Sequence, residues 1–226
     1  MISVYNILTV AKFEAKTLWR SWFFRIFSIL SIVVIGFFDF GALSPVTHSP
    51  WAFQGVPTTI PYMNILLLNV AQAIIAVFLA SDFLKRDKKL DTTEVVYMRS
   101  MTNTDYVIGK TAGIMLMFLL LNIVILLIGL VFNVFFTETT FAGIAYLIYP
   151  LVISIPTLVF ILGFAFLMMV TIRNQAVTFI VLLGYIGMTL FYLGPSVHNV
   201  FDYIAFNVPM VYSQFTGFAD ITHMLA

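Results

Sequence analysis

Residues 81–111 read SDFLKRDKKLDTTEVVYMRSMTNTDYVIGKT, with long apolar runs on both sides. From Asp82 to Lys110 the stretch carries six basic residues and five acids, Asp82, Asp87, Asp91, Glu94 and Asp105. The whole chain is 62% hydrophobic and 9% charged. Charge gathered this tightly between two oily segments marks the water-exposed connection of a membrane protein, and it fixes the topology of everything around it.

Composition sets the frame. A mean hydropathy of +1.05 over 226 residues lies far above that of soluble domains. The net charge of +1 gives no bulk field for nucleic acid. There is no Cys, which excludes disulfides and thiolate metal sites. Lys12, Lys16 and Arg20 stand late in the first twenty residues, and no small-residue cleavage site follows the first apolar run, so no secretory signal peptide is read.

A helix needs roughly 20 apolar residues to cross the hydrocarbon core. Five stretches qualify: Trp22–Leu43, Ile60–Leu84, Val107–Phe136, Gly143–Ile172 and Ala176–Gly194. Backbone groups in lipid must be satisfied internally and no alternating strand pattern is present, so an all-α integral membrane protein is expected. Pro150 and Pro156 should kink the fourth span.

The basic residues orient the spans. Lys12, Lys16, Arg20 and Arg25 precede or open the first. Lys85, Arg86, Lys88, Lys89, Arg99 and Lys110 lie between the second and third, and Arg173 between the fourth and fifth. The connections at 44–59, 137–142 and 195–226 have none. With five spans every positive charge falls on one side, which the positive-inside rule makes cytoplasmic, the amino terminus included.

Residues 1–20 read as an interfacial amphipathic helix, with a cytosolic extension of the first span as the alternative. Thr9, Lys12, Lys16 and Arg20 share a polar arc. Ile7, Leu8, Ala11, Ala15, Leu18 and Trp19 lie opposite, with Trp19 and Trp22 as anchors. The tail 195–226 is aromatic and proline-bearing, without a basic residue, and too interrupted to span. A re-entrant or interfacial segment on the outer face is expected there, within a longer protein.

Gly109-Lys110-Thr111 looks like the end of a phosphate-binding loop. That motif needs a glycine five residues before Gly109, and Thr104 stands there, with no preceding strand. Lys110 reads instead as an inner-boundary anchor of the third span. The charged connection 85–106 has a different use. Asp91 or Thr92 can cap a short helix, Thr92–Arg99, with Glu94 in its first turn and Val95, Val96 and Met98 on an apolar edge. Its near balance of charge suits docking on a protein surface better than on anionic lipid, with a solvated loop that only keeps topology as the alternative.

These features resemble the membrane (permease) subunit of ATP-binding-cassette transporters, in the exporter branch with an amino-terminal elbow helix and six spans. Lys85-Arg86-Asp87-Lys88-Lys89 resembles the family's charged cluster after span two. Thr92-Thr93-Glu94-Val95-Val96 resembles its Thr-x-Glu and coupling helix, and Gly109-Lys110 the opening of span three. Asp91 stands where the family usually has Gly and Met101 where it has Pro. The resemblance implies ATP-driven transport, outward in direction. ATP and magnesium would sit on a partner ATPase, with no cofactor in this chain. The partner would dock on Lys85, Arg86, Asp87, Lys88, Asp91, Thr92, Glu94, Val95, Val96 and Arg99. The resemblance further implies a second permease subunit or second half of a longer chain, and a bacterial inner (plasma) membrane. The sixth span would be missing from this chain, and the tail would match the family's outer re-entrant segment.

Among the remaining polar residues, Asn69 and Gln72 lie one helical turn apart and are candidates for a translocation path, against simple hydrogen bonding between helices. Asp39 and Glu138 sit near the outer interface and are expected to be exposed boundary residues. His48, His198 and His223 lack ligand spacing, so no metal site is read, and no catalytic motif occurs. An ion-coupled carrier and a non-transporting anchor or assembly protein are the other function classes.

Overall fold

The computed structural model describes residues 3–43, 58–89, 101–136, 142–172, 174–193, 212 and 217–218, with backbone alone for 80–89. They are helical almost throughout, and the five apolar helices make this an all-α integral membrane protein.

Helix α1 (Val4–Arg20) begins at Ser3, whose side chain accepts from Asn6 N, and ends at one extended residue, Ser21. The break is held from both sides. Ser21 N–H reaches back to Leu18 O, and Arg25 Nε donates to Trp19 O at 2.9 Å, satisfying carbonyls that a helix end leaves open. Helix α2 (Trp22–Leu43) then forms the first span.

Helix α3 (Thr59–Lys89) contains the second span, Thr59–Leu79, and keeps its helical backbone to Lys89. At 1.5 Å per residue, the ten residues past the span extend it by roughly 15 Å. Helix α4 (Asn103–Phe136) is the third span. The charged connection expected over 85–106 is therefore helical at both of its ends.

The fourth span is built in three pieces. Helix α5 (Gly143–Tyr149) runs into a π-helical turn, Pro150–Ser154, and continues as α6 (Ile155–Ile172). Pro150 has no N–H to give and its ring crowds the preceding turn, so the ladder widens by one residue and Ile155 N–H bonds Pro150 O. The expected kink thus takes the form of a π turn at Pro150. Helix α7 (Gln175–Met188) is capped by Asn174, whose side chain accepts from Ala176 N and Val177 N, and ends in a second π turn, Thr189–Leu193.

Helix α3 is the hub, touching α2, α4, α5, α6 and α7. Of its most apolar window 56% is buried, against 28% for α2 and 22% for α7. The main core joins Phe24, Phe27 and Ile35 of α2 to Leu68 and Val77 of α3, Phe118 of α4, Leu158 of α6 and Leu182 of α7. Phe118 meets Phe24 and Phe27 edge-on, at 5.7 and 6.2 Å between ring centroids. A smaller aromatic core lies at the end of the bundle away from the charged segment. There Tyr62, Tyr146 and Tyr149 receive Phe218 from the tail, and Tyr212 N–H donates to Tyr149 Oη at 2.7 Å.

Candidate functional site

Three places in the bundle gather polar chemistry. The first is the junction of α1 with the start of α4, directly after the charged segment. Thr102 and Asp105 cap α4 reciprocally: Asp105 N–H donates to Thr102 Oγ1 at 3.1 Å, and Thr102 N–H to Asp105 Oδ2 at 3.4 Å. Asp105 Oδ1 also accepts from Ser3 N–H at 3.1 Å. One carboxylate therefore serves the first turn of α4 and the chain entering α1 together.

Above this cap, α1 lies against two glycines of α4. A Cβ at Gly109 would stand 2.7 Å from Val10 Cβ and 2.9 Å from Ile7 O. One at Gly113 would stand 2.7 Å from Ala11 O and 2.8 Å from Glu14 Cβ. Gly109 and Gly113 lie four apart on one helix face, so the helices meet backbone to backbone. That gives Gly109-Lys110-Thr111 its place. The triplet is interior to α4, with Thr111 Oγ1 bonded to Val107 O at 2.9 Å, so its N–H groups serve the helix and do not form a phosphate cradle.

Two expectations about this junction change. Lys110 is not a boundary anchor. It is 7% exposed, with Nζ 4.7 Å from the Tyr106 ring centroid. Nor is α1 simply two-faced. Its protein face is Ala11, Glu14 and Leu18, all buried, while Leu8 and Trp19 are about two-thirds exposed. On the wheel, Val4, Leu8 and Trp19 form a separate apolar sector between this face and the exposed polar arc of Thr9, Lys12, Lys16 and Arg20. Nothing in the spacing of α1 marks Glu14 for burial, because the helix that covers it is distant in sequence. Glu14 and Lys110 are both buried on two helices that pack together, and a buried charge is stable only where it is compensated.

The second place is a buried polar relay through the middle of the bundle. Ser154 Oγ donates to Asn122 Oδ1 at 2.8 Å. Asn122 Nδ2 donates to Gln72 Oε1 at 3.0 Å and to Phe118 O at 2.7 Å. Gln72 Nε2 donates to Asn69 Oδ1, and Asn69 Nδ2 to Thr157 Oγ1 at 2.9 Å. The donors all run one way, a sense in which each bond polarises the next. Asn69 and Gln72, candidates for a path, are fully buried inside this chain and tie α3 to α4 and to the fourth span. Ser154 reaches Asn122 from the π turn, a placement that no straight helix wheel predicts.

The third place is at the far end. Asp39 is buried, not exposed: it is 2% accessible and accepts from Asn64 Nδ2 at 2.9 Å. One layer outward, Asn133 Nδ2 donates to Tyr146 Oη at 3.1 Å. The general rule that an intramembrane acid faces the bundle interior predicts this burial. Its short distance from the interface argued the other way.

Of the residues expected to dock a partner, Lys85, Arg86, Asp87 and Lys88 fall on the last turns of α3. Asp91, Thr92, Glu94, Val95, Val96 and Arg99, with the expected helix Thr92–Arg99, lie outside the described residues. So do Glu138 and the three histidines. Among the described residues no group of three His, Cys, Asp or Glu could hold a metal ion. Comparison with known proteins gives no match to any family model, curated protein or solved structure.

Proposed function

We propose that this chain is the permease subunit of an ATP-binding-cassette exporter, driven by a separate or fused ATPase that docks on the charged segment. What supports the reading is the mechanical setting of that segment. It is bracketed by the helical extension of α3 and by α4, and α4 is clamped to α1 through Asp105, Gly109 and Gly113 within its first three turns. Force applied to the segment passes to α4 and α1 as one unit, and to α3 along an unbroken helix. In this reading Thr92–Arg99 is the coupling helix, and the charged end with the amino terminus is cytoplasmic.

A pair of such chains, or of halves, forms the path. The sparsely covered helices α2 and α7 supply the contact, where Gly184 and Gly187 have open space in front of them. The test is a search for an adjacent reading frame encoding a P-loop ATPase, co-expression of its product with this chain, purification through a tag on the chain alone, and assay of ATP hydrolysis. Co-purification with ATP turnover supports the reading. A chain that purifies without the ATPase and leaves its turnover unchanged refutes it.

A further inference from the structure

The pair Asp39 and Asn64 is incomplete as it stands. Asn64 is fully buried, and its Nδ2 donates to Asp39 Oδ2, but its Oδ1 accepts no hydrogen bond. The amide lies over Gly129 of α4 and fills the space a side chain would need, since an added Cβ there would stand 2.5 Å from Nδ2. A carboxylate here would be a buried charge held by one hydrogen bond, beside an orphaned buried acceptor, and both are costly.

Among the described residues no Lys or Arg relieves it. Lys and Arg are absent from residues 26–84, 111–172 and 174–226. Among the described residues the groups at this end are polar and neutral: Asn64 on α3 and, one layer outward, Asn133 on α4 and Tyr146 on α5. A bound metal ion fits poorly, since hard cations take about six to eight oxygens. The described oxygens at this end are those of the Asp39 carboxylate, the Asn64 and Asn133 amides and the Tyr146 phenol, fewer than such a cation takes.

A single proton resolves both defects. A carboxylic acid and a primary amide are complementary in donors and acceptors. The amide N–H bonds the acid's carbonyl oxygen, and the acid O–H bonds the amide oxygen. The first half of that ring is present at 2.9 Å, and the unused Asn64 Oδ1 is the acceptor for the second. We infer that Asp39 and Asn64 form a buried proton-binding site, in which the Asp39 carboxyl carries a proton donated to Asn64 Oδ1 and the closed acid–amide ring ties α2 to α3. Loss of the proton to water leaves the carboxylate, breaks the O–H bond of the ring and favours a state in which this end of the bundle admits water. The site is a proton-operated latch, and it stands independently of the transporter reading.

The test is infrared difference spectroscopy on the purified full chain in lipid, with Asp39→Asn as the reference that separates this acid from the others. Wild type should show a carboxylic-acid carbonyl band at neutral pH, absent from Asp39→Asn and lost on raising the pH. Asn64→Ala, which keeps Asp39, should move that band by removing its partner. An amide at position 39 can both donate to Asn64 Oδ1 and accept from Nδ2. Asp39→Asn should therefore fold, with a melting midpoint that stays flat where the wild-type midpoint falls as pH rises. Spectra of wild type and Asp39→Asn that coincide in the acid region at neutral pH overturn the inference. So does an acid band indifferent to Asn64→Ala. Ionised-carboxylate bands that shift on adding sodium, with no acid band, assign the site to a metal ion and overturn it as well.

Discussion

Gly113→Ala tests the α1–α4 clamp quantitatively. Alanine is the better helix former by about 1 kcal/mol, so at an open helical position the change stabilises. At Gly113 the new methyl would meet Ala11 O at 2.7 Å, Glu14 Cβ at 2.8 Å and Ala11 Cα at 3.3 Å. Two of the three are backbone atoms and have no rotamer to escape into. Overpacking of this kind costs about 1–3 kcal/mol, so the steric loss equals or exceeds the propensity gain. Gly163 of α6 is the internal control, because a Cβ there has nothing within 4 Å. Gly163→Ala carries the same propensity term, which cancels, and the two variants should differ by about 1–3 kcal/mol, the variant at 113 being the weaker. The assay is the thermal midpoint of each variant in one detergent. It is paired with maleimide labelling of Leu18→Cys, a reporter at a site 2% exposed in a chain that has no native Cys. Labelling should be slow in the Gly163→Ala background and faster in Gly113→Ala. Equal midpoints with equal protection of Leu18→Cys would refute backbone-to-backbone docking of α1 on α4.

Three further outcomes follow from the same geometry. Gln72→Leu interrupts the relay at its centre, strands Asn69 Oδ1 and leaves Asn122 Nδ2 with Phe118 O alone, for a loss of about 1–3 kcal/mol read from the thermal midpoint. Adding Asn122→Leu should cost less than the sum of the two, and strict additivity would show that the relay is not a unit. For topology, single cysteines at Thr47, Thr139 and Ser196 should label from outside with an impermeant reagent; protection at Thr139 with labelling at Arg173→Cys contradicts the five-span order. For coupling, Glu94→Ala should lower ATPase association while leaving insertion intact. A loss of about 0.3–1 kcal/mol marks a helix-start role and about 2–5 kcal/mol a buried charged contact. Val95 and Val96 changed to Asp should act more severely, and wild-type association in both variants removes the docking reading.

The number, order and approximate ends of the five spans were legible in the chain alone, because hydropathy and length are local properties. The break near Ser21 and the disturbance at Pro150 are also short-range, each decided by local hydrogen bonding. The faces were not legible. Helix α4 is apolar nearly all round, so no wheel tells which side meets protein and which meets lipid. Only the contacts chose, and they chose through residues that hydropathy treats as exceptions. Gly109 and Gly113 set how closely α1 approaches. Glu14 and Lys110 are buried because two helices cover them together. Gln72 and Asn122 find each other across two helices, Asn69 and Asn122 reach Thr157 and Ser154 of the fourth span, and Asp39 is withdrawn from the interface by Asn64. Each of these depends on the position of a partner more than twenty residues away along the chain, which the folded bundle fixes and a local pattern does not.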